Sequence, residues 1–461
     1  MTVVSNPPTV ASIAARLERL PTSRWHVKVR TFIGVVTFFE AFDQLLIASA
    51  MPVLIKQWGL GTGQVTFAIT SGSVGMLLGA LAAGWLADKV GRVRMVMLGV
   101  LVTGLSSLAI VFAPGFAWLV ALRFVQGLGI GGEVPVGATY VSEITKARHR
   151  GRFVLLYELV FPAGLLMATL VAAWVIPHWG WRAMFAIGAV PALIMVVLQR
   201  RVPESPRWLA AKGRLAEADA VLTGIETEIS RTKGPLPAPA PGDAAGGPEP
   251  RGTLADLFRG IYLRRTVVVS ALWFFGYFVN YGITAWLPAL YVKVFHLDLD
   301  TALRYNLITN AVGFLGCLVV ALTIDRIGRR PALAFGLAGS AAALGTLAVL
   351  GASSGSQVML WASLAAFFVF ATNVTLYLYT PELFPTRSRA LGCSTGGVFN
   401  RLGVILGPIV VGRIIDHGGS NATVFGVLGA VALIGALTAL LATETRGKTL
   451  EQLSPGRHRA N

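Results

Sequence analysis

Six ionisable side chains stand inside long apolar runs, where a charge is costly and marks function by default. Glu40 and Asp43 lie in TFFEAFDQLLIASAMPV, and Arg123 and Glu133 in LVALRFVQGLGIGGEVPVGATY. Glu158 lies in VLLYELVFPAG and Arg401 in GGVFNRLGVILGPIV. Of these six, the first half holds four acids and one base, which leaves a carboxylate without a permanent cation. Such a group can load a proton on one side of a barrier and release it on the other as Arg123 swings toward it. Asp43 is the first candidate, Glu40 the second, with Glu133 as a further acid. The plainer alternative is a static ion pair between Arg123 and Asp43 or Glu40.

A second constellation suits recognition. Tyr277, Asn280, Tyr281 and Thr284 follow the i, i+3, i+4, i+7 spacing of one helical face. Two phenols, an amide and a hydroxyl suit a flat ring that stacks and exchanges a few hydrogen bonds. Trp286, at the end of the same run, reads as interfacial. Asn310, Asn373, Tyr377, Asn400 and Arg401 are the polar candidates from later runs. Arg401 could hold a carboxylate, or bond a helix carbonyl or an acid where two bundles meet. Arg123 and Arg401 favour a small aromatic carboxylate. The four acids Glu40, Asp43, Glu133 and Glu158 would equally suit an organic cation held in an aromatic cage.

A third pattern occurs twice. Gly84, Asp88, Gly91, Arg92 and Arg94 stand in GWLADKVGRVR, and Asp325, Arg326, Gly328, Arg329 and Arg330 in ALTIDRIGRRP, 237 residues later. YVSEITKARHRG pairs with YTPELFPTRSRALG, and PESPRW with TETRGKTLEQ. Glu143 with Arg148, Arg150 and Arg152, and Glu382 with Arg387 and Arg389, supply opposite charges on the next loops. Glu204 and Glu444 add one carboxylate per half. These groups would hold one end of the molecule closed in one state and part in the other.

The elements that carry these residues are apolar. Of 461 residues 54% are hydrophobic and 13% charged, against roughly a quarter charged in an ordinary soluble domain. Twelve runs, each long enough to cross ~30 Å of hydrocarbon, are expected at 29–50, 65–87, 94–113, 117–141, 152–176, 181–199, 266–291, 302–324, 331–350, 357–379, 391–415 and 422–442. The net charge of +17 would suggest nucleic acid in a soluble chain, but its placement says otherwise. Only seven of the 39 Lys and Arg (Lys56, Arg123, Arg182, Lys293, Arg304, Arg401, Arg413) fall within runs or on the loops opposite the repeated motif. This is the positive-inside bias, and it places both termini in the cytoplasm.

Residues 1–28 form a polar N-terminal segment without the layout of a cleaved signal peptide. Residues 29–199 and 266–442 form two six-run bundles, and 443–461 a tail. The connector, 200–265, contains an amphipathic helix in RLAEADAVLTGIETEISR, a short helix in TLADLF and the flexible stretch GPLPAPAPGDAAGGPEP. It reads as a tether that also packs under the bundles.

GWLADKVGRVR, RFVQGLGIGGEVP, PESPRW and TETRGKTLEQ together resemble the major facilitator superfamily, in particular its sugar-porter-related clan. EAFD, GLGIGGEVPVGATYVSE, VLLYELV, GYFVNYGITAWLP and NRLGVILGP resemble its niacin-transporter and organic-ion branch, with synaptic vesicle glycoprotein relatives. Ala321 stands where the first motif has Gly84, so the second copy is degenerate. The resemblance implies an all-α polytopic protein with twelve transmembrane helices in two pseudo-symmetric bundles, working by rocking alternating access around a midplane site. Gly127, Gly129 and Gly132 match GxGxxG but follow no strand, so they serve helix packing. Gly447-Lys448-Thr449 lacks the upstream glycine of a phosphate loop, because Ala442 stands there. The expectation is a proton-coupled importer of a small aromatic carboxylate, nicotinate first, with organic cations next, sugars less favoured and a non-transporting receptor last. An enzyme, a cofactor, a metal site and a nucleic-acid partner are not expected. A monomer in a bacterial inner membrane is.

Overall fold

The computed structural model describes residues 9–21, 23–144, 159–199, 202–238 and 253–447, and every regular element in them is a helix. The first half comprises α1 (Val10–Arg19), α2 (Arg24–Trp58), α3 (Thr62–Val90), α4 (Arg92–Val111), α5 (Phe116–Ile144) and α6 (Val160–Gln199). The connector holds α7 (Pro206–Ala211), α8 (Leu215–Lys233) and α9 (Leu254–Leu257). The second half comprises α10 (Gly260–Thr284), α11 (Leu287–Lys293), α12 (Leu299–Ile327), α13 (Arg329–Val349), α14 (Gly355–Glu382), α15 (Thr386–Asp416) and α16 (Asn421–Leu440).

Among the described residues ten helical stretches are long and apolar enough to cross a membrane, and α5 adds the apolar stretch Phe116–Gly132. One of the ten is two spans. Gly180, at φ 78, breaks α6, and the packing shows that the chain turns back there. The space a Cβ would fill on Gly164 lies against Phe38 and Ala41, while that on Gly188 lies against Phe42, Asp43 and Leu46. A straight helix would separate those two glycines by about 36 Å, yet both sit beside the middle of α2. With α10 and α11 forming one interrupted span, the total is the expected twelve.

Local signals explain where the helices start. Asp298, Ser354 and Ser420 each accept a hydrogen bond from the backbone N–H three residues on and so cap α12, α14 and α16. Close helix approach relies on small residues. On α5, a Cβ on Gly127 would strike the carbonyl of Gly72 and one on Gly131 that of Met76, so α3 and α5 meet backbone to backbone. The GxGxxG string is thus a packing surface: a Cβ on Gly129 would lie 2.6 Å from the Thr103 hydroxyl on α4. Outward faces carry exposed apolar side chains such as Leu322, Phe335 and Leu437, the surface a bilayer covers.

The halves meet where α15 lies against α3 and α12 against α6. A shift of 237 residues carries α3 onto α12 and the first leg of α6 onto α15, so these two contacts are symmetry mates. The connector divides between the halves. α7 and α8 pack with α1, burying Ile13, Leu17, Trp208, Leu222, Ile225 and Ile229. Leu257 of α9 is buried instead with Val268, Leu272 and Leu383 of the second half.

α2 spans 35 residues, about 52 Å of helix, with Glu40 and Asp43 at its middle. One sequence expectation changes. Trp286 is buried rather than interfacial, its indole donating to the Pro408 carbonyl at 2.9 Å where the span breaks. The polar side of the N-terminal segment is bonded as well: Arg16 bonds Asp219, Thr223 and Glu226 of α8, and Arg19 bonds Glu226 at 2.7 Å. Burial pushes the Glu226 carboxyl up, but its hydrogen bonds with Arg16 and Arg19 outweigh this and hold it below the ordinary carboxylate range. Its stabilisation is therefore complete above the ordinary glutamate range and is lost as pH falls through the lowered value. Hydrogen bonds to charged groups contribute about 1.5–3 kcal/mol, and 1.4 kcal/mol is about tenfold in an equilibrium. Arg16→Ala should therefore raise the rate of tryptic cleavage after Arg19 about tenfold or more at neutral pH. Unchanged cleavage would show that α1 is held by its apolar face alone.

Candidate functional site

The repeated loop motif builds two equivalent helix caps. Gly91 (φ 116) and Gly328 (φ 99) take left-handed conformations that a side chain would strain. Each turn exposes the N-terminus of the next helix to a glutamate from a distant loop. Glu204 accepts from the N–H groups of Arg92 at 3.0 Å and Val93 at 3.2 Å. Glu444 accepts from those of Arg329 and Arg330, both at 3.0 Å. A Cβ on Gly328 would lie 2.8 Å from the Glu444 carboxylate, so glycine is required for space as well as for φ. Asp88 pairs with Arg92 at 2.6 Å and Asp325 with Arg329 at 3.0 Å, both one turn apart. Glu382 pairs with Arg329 at 3.0 Å and accepts from Thr445 at 2.5 Å. Each of these pairs lies within one half. Arg389 is half-buried on α15. The surroundings of Gly84, Glu143 and Arg150 lie outside the described residues.

The interior of the first half is a polar knot. Arg123 of α5 donates to the Gln126 side chain at 2.6 Å and to the main-chain carbonyl of Asp43 at 3.3 Å. Gln126 donates onward to Ser107 of α4 at 2.7 Å. The alternative of a static ion pair is not formed among the described contacts; both bonds come from one guanidinium nitrogen, and Nε is buried without a partner. Asp43 Oδ1 and Glu40 Oε2 are buried and accept no hydrogen bond. Both acids line a small cavity within this half, with Val36, Val100, Thr103 and Ala192. The Glu133 and Glu158 side chains fall outside the described residues.

The second half contributes an aromatic stack on α10. Trp273 lies over Tyr277 at 5.5 Å, and Tyr277 over Tyr281 at 6.1 Å, nearly parallel. Tyr377 of α14 packs edge-on to Trp273 at 4.7 Å and accepts from the Tyr277 hydroxyl at 3.3 Å. The Tyr281 hydroxyl crosses between the halves and donates to Gln44 of α2. At the end opposite the loop motif Lys293 makes a second crossing, donating to Thr62 at 2.7 Å. Between the halves lies a cavity lined by Gln44, Ser73, Met76, Arg123, Tyr281 and Pro408, among others.

The spacing-based residues divide against this geometry. Tyr277, Tyr281 and Tyr377 come together. Asn373 stands beside the stack with both amide atoms unpartnered, its Oδ1 2.5 Å from where a Gly276 Cβ would be. Asn280 is buried with its side-chain oxygen unpartnered. Of the nine candidates Tyr281 alone lines the central cavity; Thr284 donates to the Asn280 main-chain carbonyl at 2.9 Å, and Asn310 to that of Asn306 at 3.0 Å, each within its own helix. Asn400 is buried. Arg401 is half-buried and bonds the Gly397 carbonyl at 3.2 Å, one turn away. Its charge acts across the halves on Glu40 and within its own half on Tyr281. Gln44, Ser73 and Gln126 were missed; the amides at Gln44, next to Asp43, and at Gln126, three residues after Arg123, were the available signals.

The geometry can now be set beside known proteins. A model of the sugar (and other) transporter family matches residues 33–456. The chain belongs to that family. It is 34% identical over 445 residues to the niacin transporter NiaP of Acinetobacter baylyi, covering 96% of this chain and 99% of that protein. It is 27% identical to the synaptic vesicle 2-related protein of Rattus norvegicus, over 95% of this chain and 82% of that one. Among solved structures, the partially occluded inward open conformation of the xylose transporter XylE from E. coli superposes with a TM-score of 0.72 at 20% identity, covering 93% of this chain and all of that one. The fold is the twelve-helix arrangement of the major facilitator superfamily, and the protein is an integral membrane transporter rather than an enzyme.

The paired caps allow a symmetric test. Backbone N–H bonds hold the Glu444 carboxyl low against the opposing effect of burial. Glu204→Gln and Glu444→Gln should each cost about 1 kcal/mol. Because they act in separate halves their effects should add. Thermal unfolding of the two single variants and the double variant in detergent checks this, and a double variant no worse than either single one would refute independent caps.

Proposed function

We propose that the protein imports a small aromatic carboxylate, nicotinate first, by proton symport and alternating access. The observation that carries this reading is the aromatic stack Trp273–Tyr277–Tyr281 beside Arg401, in a chain similar over almost its whole length to a niacin transporter. A flat ring can stack on the face of a phenol, and a guanidinium held only by a carbonyl of its own helix has donors left for a carboxylate. Tyr277, Asn280, Tyr281, Asn373, Tyr377, Asn400 and Arg401 form the proposed substrate side, together with Gln44 and Ser73 of the other half. Thr284 and Asn310 support the helices that carry them.

Asp43 is the proposed proton carrier, with Glu40 and Arg123 as its partners. The positive-inside pattern places the loop-motif end and both termini in the cytoplasm, and the relatives favour a bacterial inner membrane. Asp88, Arg92, Glu143, Arg150, Glu204, Asp325, Arg329, Glu382, Arg389 and Glu444 then form the cytoplasmic gate. The crossings Lys293–Thr62 and Tyr281–Gln44 support a state in which the outer end is closed. Organic cations are the second reading, motivated by the unpartnered oxygens of Glu40 and Asp43.

The deciding experiment is uptake of labelled nicotinate, against labelled choline, by purified protein in liposomes with an acid-outside gradient. Nicotinate uptake that collapses with the gradient is expected. Choline uptake driven by a negative-inside voltage would replace this reading with the cationic one. Arg401→Ala should raise the KM for nicotinate about 10–100-fold, as expected for a lost bond to a charged group. A fall in kcat alone would make Arg401 a part of the rocking interface instead.

A further inference from the structure

Arg123 stands at the wall between two separate cavities. One of them, between the halves, is lined by Arg123 itself with Gln44 and Tyr281. The other, inside the first half, is lined by Glu40 and Asp43. The Asp43 carboxylate has its Oδ1 2.8 Å from the position of a Gly188 Cβ on the second leg of α6 and unpartnered, while Ser107 of α4 bonds the same carboxylate. Arg123 reaches the backbone of Asp43 but gives its shorter bond, 2.6 Å, to Gln126. Gln126 is fully buried and fixed from behind, because its amide nitrogen donates to Ser107 at 2.7 Å. A buried amide with both ends engaged resists rotation, since turning it would leave two groups unpartnered.

We propose that Gln126 is a positioning residue that holds Arg123 away from the Asp43 carboxylate, so that Arg123 changes partner between the two during transport. This rests on the proton-coupled reading and adds to it the group that competes with Asp43 for the cation. With Asp43 protonated, the neutral acid offers Arg123 little, and the guanidinium stays on Gln126 facing the central cavity. When the acid loses its proton to water, the new carboxylate outcompetes the neutral amide, since it adds the attraction of opposite charges to the hydrogen bond. The cation then leaves the central cavity. The other groups facing Asp43 are few. α2 brings Glu40, which faces Arg401 of α15 and Tyr281 of α10, α4 brings Ser107, and α6 brings only Gly188.

The test is the pH profile of nicotinate uptake into liposomes, measured with the full-length protein and two substitutions of opposite sense. Gln126→Leu releases Arg123 to the Asp43 carboxylate, so loading should need more acid and the midpoint should move down by about one pH unit. Gln126→Glu keeps a charged partner on Arg123, so the midpoint should move up by a similar amount. Variants that unfold at the parent's temperature and keep its midpoint would overturn the role of Gln126 while leaving proton coupling intact. Shifts of the same sign for Leu and Glu would overturn it too. A parent whose uptake ignores the imposed gradient would overturn the coupled reading itself, and this proposal with it.

Discussion

A bilayer interior offers no water to a polar group, and this one fact governs both the shape of the chain and its exceptions. Backbone groups are satisfied within helices. The helices approach closely where glycine allows it, as at Gly127 against Gly72. Side chains that carry charge or amide into that interior must find partners or bear the cost. Most find them: Trp273 bonds Thr380 at 2.9 Å and Thr309 lies 3.0 Å from Ser363. The unpartnered atoms of Glu40, Asp43, Asn280 and Asn373 stand out against that background. They lie beside the two cavities or the aromatic stack, where a proton or a ligand would supply the missing bond.

The repeat is faithful at the loop motif and unfaithful in the core. Glu204 and Glu444 cap their helices with nearly the same geometry, and Asp88 and Asp325 pair with the same arginine one turn on. The asymmetries are local. Ala321 replaces Gly84, and Arg329 gains a described partner in Glu382. In the bundle interiors the halves diverge outright. The first holds acids, an arginine and an amide, and the second holds stacked rings and asparagines. Conserving the ends while separating the chemistry of the cores is consistent with two bodies that rock alike but carry different tasks.

Much of this was legible because it is written in period and composition. Span number, the paired motif and the in-span charges depend on hydropathy, spacing and residue type, which a linear reading captures. Partner choice depends on register between helices that are far apart in sequence. Nothing in the sequence says that Arg123 takes Gln126 and a carbonyl before a carboxylate, or that Arg16 reaches Glu226 across 210 residues. Thr284 shows the limit of face arguments. Its spacing put it with Tyr277 and Tyr281, but a hydroxyl on a helix can always turn back to the carbonyl four residues earlier, and here it does. Trp286 read as interfacial because it ends an apolar run; the break between α10 and α11 folds it inward onto Pro408.

The crossing bond between Tyr281 and Gln44 ties these features into one device. Tyr281 is the last ring of the second half's stack, and Gln44 directly follows Asp43 on α2. A ligand ring inserted beside Tyr281 cannot avoid disturbing that hydrogen bond. Release of Gln44 would change the helix that carries Asp43, whose own carbonyl holds Arg123. Substrate and proton would then communicate through about one turn of α2, with no need for a long pathway. That short physical connection also explains how a cavity for a solute and a cavity for a proton can stay separate and still act together.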